Sequence, residues 1–412
     1  MTLAPLVERV LGGDLPVAVD AYDGSRAGPD DAPTRLSIRT PDALRRIVTA
    51  PGELGMARAY VSGDIDIEGD IWGLLALRDR MPKVRLEPRA MLDLVGELGG
   101  WRQVRPLPPP PEECRLRGRR HSRARDAAAI SHHYDVSNAF YRIVLGPSLT
   151  YSCAVFHDPS DSLEQAQANK YELICRKLGL EPGMRLLDVG CGWGGMVLHA
   201  AQNHGVRAVG VTLSKAQAEL ASKRVAEAGL SGQVEIRRQD YSDVVDGPYD
   251  AVSSIGMFEH VGEARLGEYF GRLLGLLRPG GRLLNHGISR PPGDKAPLAR
   301  RSFANRYVFP DGELHEAGRV VSAIQKAGFE TRHVESLREH YALTLRRWVD
   351  NLEGAWNEAV AEAGEGRARV WRLYMAGAAT SFEANRTQIH QILAVPGGDM
   401  ARSGMPLRPD FG

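Results

Sequence analysis

Cysteine is scarce: Cys114, Cys153, Cys175 and Cys191 are the only four in 412 residues, and they form no C-x-x-C pair. Neither a structural zinc site nor a disulfide framework is indicated, and a reducing compartment fits. Long apolar runs are also missing, since no stretch approaches the roughly 18 to 20 residues that a spanning helix needs. The opening MTLAPLVERVLGGDLPVAVDAYDG lacks a basic leader followed by an apolar stretch and a small-residue cleavage site. A soluble, cytoplasmic protein is expected. Excess charge of one sign is absent too, with a formal net charge of +1. No whole-protein field gathers nucleic acid, so any polyanion must be met by a local patch. There are no internal repeats.

What is present is an ordinary globular mixture, 43% hydrophobic and 25% charged, in a chain long enough for two domains. Residues 1–105 read as a small α+β domain without a chemical motif. At Pro106–Pro111, PLPPPP can neither continue a helix nor pair in a central sheet and reads as a stiff extended spacer. Arg115, Arg117, Arg119, Arg120, Arg123 and Arg125 follow closely. They read first as a solvated linker and second as a patch for anionic lipid headgroups. The linker is placed at 106–125, a catalytic domain at 126–396 and a tail at 397–412.

From about residue 165 helices alternate with buried strands, as in a doubly wound α/β domain. Strands are expected near Arg185–Val189, Val206–Val211, Val234–Arg238, Asp250–Ile255, Arg282–Gly287, Glu330–Ser336 and Gln388–Ala394. A long helical section lies between the last two.

LLDVGCGWGG, Leu186 to Gly195, runs from an apolar strand through Gly190, Gly192, Gly194 and Gly195 into a helix. Such glycines let a ligand lie against bare backbone at a helix N-terminus. A dinucleotide site normally has an acid at the end of the next strand, but here that strand ends Gly210-Val211-Thr212-Leu213-Ser214. Asp188, just before the first glycine, opposes a pyrophosphate and suits a cationic ligand such as the sulfonium of S-adenosylmethionine. Asp240 and Tyr241, after the third strand, offer a carboxylate and a ring for an adenine.

HHYDVSNAFY from His132, YSCAVF from Tyr151, GVTLSKAQ from Gly210, SIGMFEHVG from Ser254, HGI at His286, YVFPDGEL from Tyr307 and HYALTLRRW from His340 complete the pattern. Together these stretches resemble the cyclopropane fatty acid synthase and mycolic acid methyltransferase family over about residues 125–395. Residues 1–105 resemble only loosely the N-terminal lipid-associated domain of full-length synthases. The resemblance implies the class I methyltransferase fold, α/β with a seven-stranded Rossmann-like sheet whose last strand is antiparallel. It implies methyl transfer from S-adenosylmethionine to an isolated cis double bond of a lipid-bound acyl chain. The resulting carbocation loses a proton to a bound bicarbonate.

By the same resemblance the bicarbonate ligands fall on Cys153, Glu259, His286, Ile288 and Tyr341, with the backbone amides of Cys153 and Ile288 cradling the anion. Cofactor contacts fall on Tyr151, Ser152, the glycine loop, Thr212, Leu213, Gln217, Asp240 and Tyr241. Beside these stand blander readings. Cys153 alone would be a small core residue, and Glu259 and His260 could form a surface pair. Trp193, Phe258, Tyr307, Phe309 and Tyr374 could face the cation but more often serve packing. His132 and His133 lack a partner cluster, and no metal is expected.

Gly146 stands where many cyclopropane synthases carry an acidic or amide side chain, and Val144-Leu145-Gly146-Pro147 is closer to an actinobacterial branch that makes 10-methylene stearoyl chains, precursors of tuberculostearic acid. The expected substrate is an oleoyl phospholipid at the inner membrane surface, with a separate flavin-dependent reductase as partner. A homo-oligomer is allowed, its order unspecified. The alternatives are ring formation, methylation of a small polar acceptor, and a catalytically silent lipid-binding subunit.

Overall fold

A computed structural model describes residues 2–11, 17–80, 95–96, 100, 105–114, 137–293, 302–310, 312–398 and 403–412. The arginine run 115–125 and the His132-His133 pair lie outside them. The chain divides into two compact units: Met1–Arg115 with Ala299–Pro310 and Ala355–Thr380, and Leu116–Leu298 with Asp311–Gly354 and Ser381–Gly412. These units cut across the linear division at 106–125, because two later segments cluster with the first hundred residues.

In the first unit, strands β1 (Val17–Ala21), β2 (Arg26–Ala27), β3 (Thr34–Ile38) and β4 (Ile65–Gly69) form a sheet in the order β2-β1-β3-β4. β1 and β3 run parallel and the other pairs antiparallel. β3 alternates, sending Leu36 and Ile38 inward while Arg35 and Ser37 stay half-exposed, the period-2 pattern of a sheet with one buried face. Leu54, Ala57 and Val61, on one side of the helix Glu53–Val61, pack with Phe303, Tyr307, Val308 and Val370. That packing explains why the later segments belong here.

The proline-rich stretch is not a free spacer. Arg46 Nη1 donates to the Pro108 carbonyl at 2.9 Å. The buried Glu113 carboxylate accepts from Arg58 Nε at 2.7 Å and Nη2 at 2.8 Å. Proline prevents regular pairing, but side chains reach its carbonyls.

The second unit holds β5 (Arg185–Val189), β6 (Arg207–Thr212), β7 (Val234–Arg238), β8 (Tyr249–Ile255), β9 (Leu277–Arg290), β10 (His315–Glu316), β11 (Phe329–Ser336) and β12 (Gln388–Pro396). Their order is β11-β12-β9-β8-β5-β6-β7, with β10 pairing β9. β12 is antiparallel to both neighbours while β5 to β9 are parallel. This is the class I methyltransferase sheet. Its apolar strands are buried on both faces, as parallel sheets require: Leu187, Val189, Val252 and Leu283 face one core, and Leu186, Ala208, Ala251 and Leu284 the other. The order reverses at β5, whose neighbours are β6 and β8, so a crevice opens beyond the carboxyl ends of β5 and β8.

Candidate active site

Asp188 is the penultimate residue of β5 and is buried, one oxygen accepting from Ser253 Oγ on β8 at 2.6 Å. Burial raises its pKa to about 6, opposed by that hydrogen bond and by the charge of Lys170. The turn beyond it uses positive φ at Gly190, Gly192 and Gly194. A side chain at Gly192 would meet nothing within 4 Å, whereas one at Gly195 would lie 2.0 Å from Tyr171 Oη. The first glycine leaves bare backbone facing open space, and the second permits close packing. At the end of β6, Thr212 Oγ1 donates to Gln217 Oε1 at 2.8 Å, and Leu213 is exposed to 45%. Asp240 Oδ1 caps a turn by accepting from Ser242 N and Oγ at 2.9 and 2.7 Å, while Tyr241 packs edge-on against Tyr269. Open backbone, an exposed apolar side chain and an acid thus meet at three adjacent strand ends, a donor set that fits S-adenosylmethionine.

Tyr151, Ser152 and Cys153 lie on a segment fastened from two sides. The helix Leu163–Leu178 holds it through Gln167 Nε2 to the Ser152 carbonyl at 3.0 Å, Lys170 Nζ to Ser152 Oγ at 3.0 Å, and Tyr171 to Thr150 at 2.6 Å. The helix Arg338–Gly354 holds it through Thr344 Oγ1, which accepts from Ala154 N at 3.0 Å, and His340 Nδ1, which accepts from Phe156 N at 3.1 Å. Tyr151 stacks on Trp348, which meets Tyr341 edge-on. Burial pushes the Cys153 thiol up, and Sγ donates to the Ala154 carbonyl at 3.2 Å. Burial thus favours the neutral thiol over the thiolate.

Lys170 is a functional candidate that sequence reading missed. It is fully buried, with its pKa lowered by burial to about 7 against the raising influence of Cys153 and Asp188. A lysine in an amphipathic helix reads as surface, and in the fold Lys170 stands directly before Tyr171, the residue packed against Gly195 of the glycine loop.

Glu259 sits on the short turn Phe258–His260 against β9. It is buried, and burial raises its pKa to about 7, opposed by a hydrogen bond from the Ile288 amide. Oε1 accepts that bond at 2.6 Å, whereas Oε2 is buried without a protein partner. Gly287 makes room, since a Cβ there would lie 2.1 Å from the Phe258 ring and 3.0 Å from Glu259 Oε1. Met257, just before, covers Gly190, which links this turn to the glycine loop. His286 is buried on β9, its Nε2 likewise without a protein partner. Burial, and then the charges of Lys170 and Lys177, hold its pKa well below the ordinary value, so the ring is neutral.

The Ile288 amide donates to Glu259 Oε1 and so positions the carboxylate. Tyr307, Phe309 and Tyr374 belong to the core of the first unit, which gives them a packing role, and Trp193 is held by Nε1 donating to Asn138 Oδ1 at 2.9 Å. Among the described residues, Cys175, His199 and His204 bring potential ligand atoms within 4.8 Å of one another. Both rings bond Glu172 Oε2, at 3.4 and 3.0 Å, and burial keeps the Cys175 thiol protonated. The cluster is accounted for as a tie between two helices.

The family described as Mycolic acid cyclopropane synthetase matches residues 121–392. A probable fatty acid methyltransferase of Mycobacterium tuberculosis is 50% identical over 408 residues, covering 96% of this chain and 95% of its own. The cyclopropane-fatty-acyl-phospholipid synthase of Escherichia coli is 33% identical over 382 residues, covering 90% of each. Among solved structures, the cyclopropane synthase MmaA2 from Mycobacterium tuberculosis aligns with a TM-score of 0.62 at 34% identity, over 66% of this chain and 98% of that one.

Proposed function

The chain belongs to the mycolic acid cyclopropane synthetase family and is an S-adenosylmethionine-dependent methyltransferase, and from that premise we propose that its acceptor is the cis double bond of an unsaturated acyl chain in a phospholipid. The observation that carries the reading is the pair of buried atoms without protein partners, Glu259 Oε2 and His286 Nε2. Leaving each bare costs about 1–3 kcal/mol. A small oxyanion bearing one hydroxyl has the chemistry that each of them calls for, accepting from an imidazole N–H and donating to a carboxylate oxygen. A methyltransferase for an amine or hydroxyl acceptor needs a base aimed at a polar nucleophile and has no use for such a seat.

Bound there, bicarbonate would supply a base that takes a proton from the methylated chain without itself being a side chain of the protein. S-adenosylmethionine supplies the electrophilic methyl. The residues of the chain do the rest. Glu259, ionised above about pH 7, accepts the hydroxyl proton, and the Ile288 amide fixes its other oxygen. By the family resemblance the Tyr341 hydroxyl would complete the seat, and the Tyr151, Trp348 and Tyr341 rings, packed against one another, would exclude water from a reaction that water would quench.

The product we assign is the 10-methylene stearoyl chain. Gly146 supports it: the position has φ of 73°, and a Cβ there would meet Glu164 Oε1 at 2.5 Å. The left-handed backbone at this position strains the acidic or amide residue that many ring-forming synthases carry there, whereas Glu164 is an exposed, flexible side chain that can move aside. A flavin-dependent reductase would then saturate the methylene, and the protein would work as a peripheral enzyme at an anionic membrane surface. Among the described residues no helix is long and apolar enough to cross a membrane. Supplying methyl-labelled S-adenosylmethionine with oleoyl or stearoyl phospholipid vesicles tests the acceptor: label enters only the oleoyl lipid, and equal labelling of both, or of neither, overturns the reading.

A further inference from the structure

The seat of His286 continues as a row of side chains across the sheet. Register places His286 on β9 directly opposite Gln391 on β12, and Gln391 opposite Glu335 on β11. Cross-strand partners share a face, so the three side chains line up on one side of the sheet. Lys177, near the end of the helix Leu163–Leu178, closes over the row. It ion-pairs with Glu335 and donates to Gln391 Oε1 at 2.7 Å. Gln391 Nε2 lies 3.2 Å from His286 Nδ1. Gln391 and the Lys177 side chain are essentially without solvent exposure.

This row has only one consistent hydrogen-bond direction. A charged lysine donates and cannot accept, so the Gln391 oxygen must face Lys177 and the amide nitrogen must face the imidazole. The amide nitrogen has only hydrogens to offer, so Nδ1 must present its lone pair. The ring is neutral, and its single proton is therefore on Nε2, the atom without a protein partner. The opposite tautomer would set N–H against N–H in a buried site, at the cost of an unmade hydrogen bond, about 1–3 kcal/mol.

We infer that Lys177 and Gln391 are positioning residues that lock His286 as the Nε2–H tautomer, making its free edge a permanent hydrogen-bond donor for a small oxyanion. The link to turnover rests on the methyl transfer proposed above, whereas the tautomer itself does not. The glutamine carries the register and the lysine the polarity: an apolar residue at 391 would leave the ring free to exchange tautomers, and one at 177 would leave the amide free to flip. Glu335 keeps the lysine charged where burial alone lowers its pKa.

The test is two-bond proton–nitrogen NMR of the full-length protein with labelled histidine, read beside lipid turnover and cofactor affinity. In the wild type His286 is expected to show a protonated Nε2 and a bare Nδ1. In Gln391→Glu the new carboxylate accepts from Nδ1, the proton moves to that atom, and kcat falls on the order of 10²-fold with the S-adenosylmethionine Kd unchanged, as a misplaced imidazole proton demands. Lys177→Met is the second variant, should Gln391→Glu not fold, and is expected to give mixed tautomers and an intermediate kcat. A bare Nε2 in the wild type overturns the inference whatever the acceptor proves to be, and a moved proton with normal lipid turnover overturns the positioning role. Absence of lipid methylation by the wild type, beside an intact Nε2–H signal, refutes the acceptor assignment and leaves the tautomer lock standing.

Discussion

Glu259 Oε1 takes the Ile288 amide proton at 2.6 Å while Oε2 remains buried and unshared. One oxygen is thus fixed by the backbone, and the other is available to a ligand. Glu259→Gln keeps the shape and the backbone bond but cannot accept a proton. S-adenosylmethionine binding by calorimetry is expected to stay within about twofold of wild type, while kcat falls on the order of 10²-fold or more. Near-normal turnover would remove Glu259 from the chemistry.

The same carboxyl gives a pH signature in stability. Its pKa rises from 4.5 unfolded to about 7 folded. Between those values the folded state binds more protons, so stability falls as pH rises through the window and levels off above it. Glu259→Gln removes this penalty. Urea unfolding should find the variant close to wild type near pH 4 and more stable above pH 7, by on the order of 3 kcal/mol. A difference that does not change with pH would contradict the burial argument.

Gly195→Ala probes the cofactor turn. The added carbon would lie 2.0 Å from Tyr171 Oη, which Thr150 holds at 2.6 Å. Overpacking of this kind costs about 1–3 kcal/mol and displaces the segment carrying Tyr151 and Ser152. The S-adenosylmethionine Kd is expected to rise roughly tenfold, read by calorimetry; an unchanged Kd would dissociate that segment from the cofactor.

Removing residues 1–105 leaves Phe303, Tyr307, Val308 and Val370 without Leu54, Ala57 and Val61. Such a truncated chain should aggregate or melt well below the full protein, because an apolar face is left uncovered. An unchanged thermal melt would mean that these segments fold without the N-terminal strands.

Much of this was legible in advance. The β5 and β7 limits follow from the apolar pattern, the glycine turn, Asp188 and His286 were marked by motif and strand-end position, and Glu259 was marked only through the family resemblance. Other features were not. β9 extends to Leu277–Arg290 because it pairs along much of its length with two long neighbours, a tertiary cause that local propensity does not contain. Lys170 and Lys177 are hidden because lysines in a helix read as solvent-facing. Gln391 left one trace, a polar residue inside an otherwise buried strand, and its meaning appears only once register sets it against His286.

The most direct measurement is the acyl product. Purified enzyme, oleoyl phospholipid vesicles and S-adenosylmethionine carrying a carbon-13 methyl should yield acyl esters in which the labelled carbon appears by NMR and mass spectrometry as an exocyclic methylene. A labelled cyclopropane carbon would contradict the product assignment, and label found only in soluble amines or hydroxyl compounds would contradict the account as a whole.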